Sequence, residues 1–257
     1  MAKKKRILLL RSNIEDKSDP YETALKEHDV YQIPVLQFDF INQDELLHKL
    51  DSPKDYNAIV FTSVRGVDAV SKVKSQCSMD PAWFDKNCYV VGETTHAKVI
   101  ETFPNWTSAR VLGKEAGKAS NLAFCIAEHE SPKALLLFPC GTLKRNELED
   151  GLKTHDINLD SVICYATKPK EDLRPTLDSL GVTDLKMDFV VFFSPSGVKS
   201  AYEVLEEKSI TDFASQRTKV IAIGPTTAEP LKNIVGNVLV AAKPNPESVS
   251  ALVTENS

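Results

Sequence analysis

Ala58-Ile-Val-Phe-Thr-Ser-Val-Arg-Gly-Val-Asp-Ala-Val70 and Phe189-Val-Val-Phe-Phe-Ser-Pro-Ser-Gly-Val-Lys-Ser-Ala201 read as two copies of one unit. At a shift of 131 positions Val60, Phe61, Ser63, Gly66 and Val67 meet Val191, Phe192, Ser194, Gly197 and Val198. Tyr89-Val-Val-Gly-Glu-Thr-Thr95 meets Ile221-Ala-Ile-Gly-Pro-Thr-Thr227 at a shift of 132. A looser third match sets Arg110-Val-Leu and Ser120-Asn-Leu-Ala against Val238-Leu-Val and Ser248-Val-Ser-Ala. Three matches in one order at nearly one offset indicate an internal duplication, which decides the fold before any local pattern does.

Each copy has one local form. An apolar, β-rich run (Ile59–Phe61, Val190–Phe193, Val220–Ile223) ends in Gly, Ser, Thr or Pro, and helical spacing follows, as in Val67, Val70, Ser71 and Val73 or Val198, Tyr202 and Leu205. Short continuous apolar strands alternating with helices predict a parallel sheet covered on both faces. The predicted fold class is α/β, with two doubly wound, flavodoxin-like parallel-sheet domains.

Counting strands predicts how they connect. The first copy is followed by a further strand, Ala134–Phe138, and a helix starting near Thr142, while the second copy leaves no residues for either. The strand Ile7–Leu10 and a helix around Tyr21–Glu27 are the spare pieces of that kind. Residues 1–30 and 171–257 are therefore expected to form one discontinuous domain, with 41–160 inserted into it. Residues 31–40 and 161–170 cross between them as a paired two-stranded connector, and a double hinge of this kind leaves a cleft between the domains.

The chain has 257 residues, 42% hydrophobic and 26% charged, which is an ordinary globular composition. Its net charge of −5 argues against a broad basic face, so no nucleic-acid partner is expected. The five cysteines (Cys77, Cys88, Cys125, Cys140, Cys164) are odd in number and widely spaced, with no C-x-x-C, so a disulfide framework is not expected and the cytoplasm fits. Met-Ala-Lys-Lys-Lys-Arg has a charged head, but the apolar run Ile7–Leu10 is too short for a secretory signal. No run approaches a membrane span, so no membrane partner is expected.

Few enzyme signatures are present. There is no G-x-G-x-x-G, G-x-S-x-G or H-E-x-x-H, and the five histidines lack ligand spacing, so no metal is expected. Gly113-Lys-Glu-Ala-Gly-Lys-Ala119 falls short of a phosphate-binding loop by one residue, and Ala119 stands where a magnesium-binding hydroxyl belongs. The strand ends are more informative. Thr62-Ser63, Gly92-Glu-Thr-Thr95, Ser194-Pro-Ser-Gly197 and Gly224-Pro-Thr-Thr227 sit where strands turn into helices. In open α/β sheets ligands bind beyond those ends, and helix N-termini offer N–H donors to acidic groups. Any single Ser or Thr there can equally be a helix cap. Repeated in both halves, they favour a large anion, with Arg65, Lys144 and Arg145 as nearby cations.

Leu137-Phe-Pro-Cys-Gly-Thr-Leu-Lys-Arg145, Phe192-Phe-Ser-Pro-Ser-Gly197 and Ala222-Ile-Gly-Pro-Thr-Thr-Ala228 together resemble the uroporphyrinogen-III synthase family of animal type. Ile59-Val-Phe-Thr-Ser-Val-Arg65 and Tyr31-Gln-Ile-Pro-Val-Leu36 strengthen a resemblance that covers nearly the whole chain. It implies cofactor-free cyclisation of the linear tetrapyrrole hydroxymethylbilane, with loss of water and inversion of the last ring. It also implies a proton donor at Tyr165 in Ile163-Cys-Tyr-Ala-Thr167, and substrate contacts at Thr62, Ser63, Arg65, Gly92, Thr95, Ser194, Ser196, Gly197, Gly224, Pro225, Thr226 and Thr227. Val64 departs from the proline that relatives often carry there. A monomer is expected. The alternative reading is a non-catalytic two-domain protein closing on a small polycarboxylate. Tyr165 and the joint motif set separate the two in favour of the enzyme.

Overall fold

The computed structural model describes residues 4–11, 19–75, 78–179, 187–205 and 218–256. Cys77 and the side chains of Tyr202 and Leu205 lie outside the described residues. The chain divides into two compact units, Met1–Gln37 with Lys168–Ser257, and Phe38–Thr167. The divisions fall inside the stretches 31–40 and 161–170 that the sequence reading set apart.

In chain order the elements begin with β1 (Arg6–Leu10), α1 (Pro20–Ala24), β2 (Asp29–Ile33), β3 (Leu36–Phe40) and α2 (Gln43–Leu50). They continue with β4 (Ala58–Phe61), α3 (Val64–Lys74), β5 (Asn87–Val90), α4 (Gly92–Thr102), β6 (Val111–Leu112) and α5 (Ala119–His129). Next come β7 (Leu135–Gly141), α6 (Glu147–Lys153), β8 (Asn158–Pro169), α7 (Leu173–Ser179), β9 (Phe189–Phe192) and α8 (Pro195–Leu205). The chain ends with β10 (Lys219–Ala222), α9 (Pro225–Lys232), β11 (Val238–Val240) and α10 (Pro246–Glu255).

One unit holds a five-stranded sheet in the order β11-β10-β9-β1-β2, all its pairs parallel. The other holds β6-β5-β4-β7-β8 in parallel, with β3 added at the β8 edge. Duplication at the observed offsets equates β4, β5 and β6 with β9, β10 and β11. The N-terminal β1 and β2 then occupy the places of β7 and β8, so the two sheets share one spatial order in a permuted chain. β3 runs antiparallel to β8, since Ile41 N–H donates to Cys164 O and Lys170 N–H donates to Val35 O, at 3.0 and 3.1 Å. A fragment 41–160 would cut β8 after three of its residues.

The strands read as unbroken apolar runs because they are buried on both faces. In β4, Ile59 and Phe61 enter the core beneath α2, α3 and α4, while Ala58 and Val60 enter the core beneath α5 and α6. In β1, Ile7 and Leu9 pack with Tyr21 of α1 and Val249 of α10, and Leu8 and Leu10 pack with Leu173 and Leu177 of α7. Val67, Val70 and Val73 are buried, so the periodicity that predicts α3 is its core-facing stripe.

One element departs from its expectation. The helix after β7 begins at Glu147 and not near Thr142. Thr142 N–H instead donates to Tyr165 O at 3.1 Å, and Lys144 N–H to Gly141 O at 3.1 Å, closing a turn against β8. The helix starts only where Glu147, Glu149 and Asp150 oppose its N-terminal dipole.

Candidate active site

In a parallel sheet the two strands at which the order reverses part their connecting helices to opposite faces, and this opens a crevice at their carboxyl ends. In the unit Phe38–Thr167 those strands are β4 and β7. Thr62 and Ser63 end β4, and Ser63 caps α3 by accepting the Arg65 N–H at 3.2 Å. Gly141 ends β7, and the register between β7 and β8 slips there, which brings Gly141 opposite Tyr165.

That slip seats the tyrosine. A Cβ on Gly141 would lie 2.3 Å from Tyr165 Cε2 and 2.6 Å from its Cζ, so only glycine lets the ring lie flat on the strand. Phe38 of β3 meets the ring edge-on, with centroids 6.5 Å apart and planes at 70°. Burial pushes the Tyr165 phenol above its ordinary value, and the Ser63 hydroxyl and the Arg65 cation, which favour the phenolate, do not reverse this. The phenol is therefore a neutral O–H donor throughout the physiological range.

Arg65 stands over the Phe38 ring at 4.3 Å and donates to Asp68 at 3.1 Å. Asp68 is shared with Lys98 at 3.5 Å, so two cations face one carboxylate and the cluster keeps a positive charge. Lys144, by contrast, is held by Glu149 at 3.2 Å and by the Ser161 hydroxyl at 3.0 Å, and Arg145 is exposed, 3.8 Å from Glu147. The structure thus brings Ser63, Arg65 and Tyr165 together and engages Lys144 elsewhere. At the neighbouring strand end Gly92 opens α4 at φ +80, a left-handed geometry that favours glycine, and no side chain caps that helix. Thr95 is buried, whereas Thr94 beside it is exposed.

The unit Met1–Gln37 with Lys168–Ser257 repeats the arrangement at β9 and β1. Ser194 Oγ accepts the Gly197 N–H at 3.0 Å and lies 3.2 Å from Ser196 Oγ. Gly224 precedes α9 without a side-chain cap, with Pro225 in the first turn, where its missing N–H costs nothing. Thr226 is exposed, and Thr227 is buried. At both helix starts, then, the second threonine of the pair faces the core and the first faces solvent.

Sequence reasoning missed Arg11, which leaves the carboxyl end of β1. Its guanidinium lies over the rings of both Tyr21 and Phe193, at 4.7 and 5.0 Å, and 3.6 Å from Asp19. Asp19 is buried, caps α1 by accepting the Tyr21 N–H at 2.8 Å and also accepts from Gln32 Nε2 at 3.3 Å. A lone arginine after an apolar strand carries no periodic or motif signal; only the fold shows its partners. Arg11→Met is expected to destabilise this unit by about 3 kcal/mol, because it leaves a buried carboxylate without its cation. Thermal unfolding of the full chain checks this, and an unchanged midpoint would count against the pair.

Among the described residues no group of His, Cys, Asp and Glu is arranged to hold a metal ion, and no helix is long and apolar enough to cross a membrane. Cys88, Cys125, Cys140 and Cys164 carry free thiols.

The fold and these turns define a duplicated α/β protein with hydroxyl- and glycine-rich turns at the carboxyl ends of its parallel strands. Residues 19–251 match the family described as uroporphyrinogen-III synthase HemD, and the chain belongs to that family. It is similar to the uroporphyrinogen-III synthase of Schizosaccharomyces pombe, 27% identical over 97% of this chain and 96% of that one. Among solved structures it is similar to uroporphyrinogen-III synthetase from Helicobacter pylori, with a TM-score of 0.63, 17% identity and coverage of 99% and 100%. A mutant uroporphyrinogen III synthase from Thermus thermophilus gives a TM-score of 0.60 at 14% identity, covering 98% of each chain. The two-domain α/β fold that the duplication predicts is the fold of these relatives.

Proposed function

We propose that this chain, as a monomer, is a cyclising hydro-lyase that converts hydroxymethylbilane to uroporphyrinogen III without a cofactor. The single observation that carries the chemistry is Tyr165, a neutral phenol seated beside Ser63 and Arg65 at the crevice-forming edge. Its O–H protonates the departing hydroxyl, which leaves as water and yields an azafulvene. The substituted carbon of the last ring attacks that centre to give a spiro intermediate. This fragments and recloses through the free carbon of that ring, now reversed, and the proton lost from that carbon as the pyrrole becomes aromatic again restores the phenol. Closure at the free carbon would give the unflipped type I isomer, so much of the catalysis is the folding of the substrate into the right near-attack geometry. In the unit Phe38–Thr167, Arg65 and the uncapped helix start at Gly92, with Thr94 exposed beside it, receive acetate and propionate arms; the other unit, by itself, offers N–H donors of the same kind at Gly224, with Thr226 exposed. With a net charge of −5, recognition of a polyanion rests on these local donors and not on the overall field.

The test is to supply freshly made hydroxymethylbilane, oxidise the products and separate the porphyrin isomers by chromatography. Type III is expected well above the spontaneous background, and type I alone at the spontaneous rate would overturn the proposal. The pH profile is a second check. The acid form does the work and exists below a pKa raised above 10.0, so the Tyr165 contribution is retained through neutral pH and lost only above about pH 10. An alkaline loss that persists unchanged in Tyr165→Phe would remove the phenol as proton donor.

A further inference from the structure

Phe38 has no polar atom to offer a reaction, yet it touches both groups assigned chemistry in its unit. Its ring face carries the Arg65 guanidinium at 4.3 Å, and the same ring meets Tyr165 edge-on at 6.5 Å. Among the described residues Arg65 is otherwise held at one end, by Asp68, which Lys98 also engages. Tyr165 is otherwise seated by Gly141 beneath its ring. Side chains two residues apart on a strand share a face, and Phe40 correspondingly carries Lys72 of α3 over its ring at 4.9 Å. β3 therefore presents an aromatic rail to the cationic side of α3.

We propose that Phe38 is a positioning residue for the reaction: its ring fixes the Arg65 guanidinium and the Tyr165 phenol relative to one another, so that the carboxylate arm and the departing hydroxyl are met in one geometry. This rests on the proposed function. The cation and the ring attract through the electrostatics of the π face, and the edge-on contact restricts the swing of Tyr165 about its side-chain bonds. Neither contact requires substrate, so the pair is set before substrate binds.

The experiment measures initial rates of type III and type I formation by the full chain. Phe38→Leu keeps apolar bulk and removes the ring, and is expected to lower the type III rate about tenfold, the combined worth of one cation–π contact and one aromatic pair. Phe38→Met is carried through the same comparison, and Phe38→Tyr, which keeps the ring, is expected to recover most of the loss. The decisive arm is the Arg65→Gln/Tyr165→Phe background. There Phe38→Leu is expected to change the residual rate less than about twofold, because the guanidinium and the phenol hydroxyl that the ring positions are gone. An equal loss in both backgrounds would overturn the inference, since the ring would then be acting through the fold alone. So would an undiminished type III rate for Phe38→Leu in a chain that makes type III. If the unaltered chain makes only type I, the function itself fails, and that outcome is distinct from either result on Phe38.

Discussion

Tyr165→Phe is expected to lower kcat for type III formation about a hundredfold, with little change in KM, the lower end of what a positioned general acid contributes. The substitution removes one oxygen and leaves the ring on its seat against Gly141 and Phe38, so the fold is retained. With the proton donor gone the hydroxyl leaves slowly, and spontaneous closure to type I takes a larger share of the product. The isomer ratio therefore reports the loss more sensitively than the total rate. An undiminished type III rate would take Tyr165 out of the mechanism while leaving the function standing.

Gly141→Ala is expected to reproduce that loss by a different route. Its Cβ would meet the Tyr165 ring at 2.3 to 3.0 Å, closer than carbon atoms approach, so the ring must leave the strand. Overfilling a packed site of this kind costs about 1–3 kcal/mol in stability. The type III rate is expected to fall about a hundredfold, because a tyrosine displaced by even 1 Å no longer lines up with the leaving group. The double variant Gly141→Ala/Tyr165→Phe separates this from general damage. If glycine acts only by seating the phenol, the double variant is no slower than Tyr165→Phe alone. Additive losses would mean that Gly141 serves the fold and not the tyrosine.

Much of the scaffold is legible in the chain. The paired motifs at Val60–Val67 and Val191–Val198 identify β4–α3 and β9–α8 as copies, and counting strands assigns β1 to the sheet that holds β9. The site is legible only in outline. Thr95 and Thr227 stand in the expected strand-to-helix turns, but their side chains are buried while Thr94 and Thr226 are exposed. One residue is 100° of helix, and no local pattern sets the phase of a first turn that finely; packing against the sheet does. The helix after β7 starts late for a related reason. Thr142 satisfies its N–H on Tyr165 O, a partner 23 residues away, before the helix can begin.

The amino-acid sequence by itself determined the repeated strand–turn–helix unit, the parallel sheets buried on both faces and the hydroxyl-rich strand ends. Each of these follows from periodicity and composition within a few residues. Only the tertiary structure decided that Tyr165 lies on Gly141, that the Phe38 ring meets both Arg65 and Tyr165, and that Arg11 lies against Tyr21, Phe193 and Asp19. Those contacts join residues 24, 27 and up to 182 positions apart. They depend on a one-residue slip between β7 and β8 and on strand order in a permuted sheet, neither of which leaves a mark in any local stretch of chain.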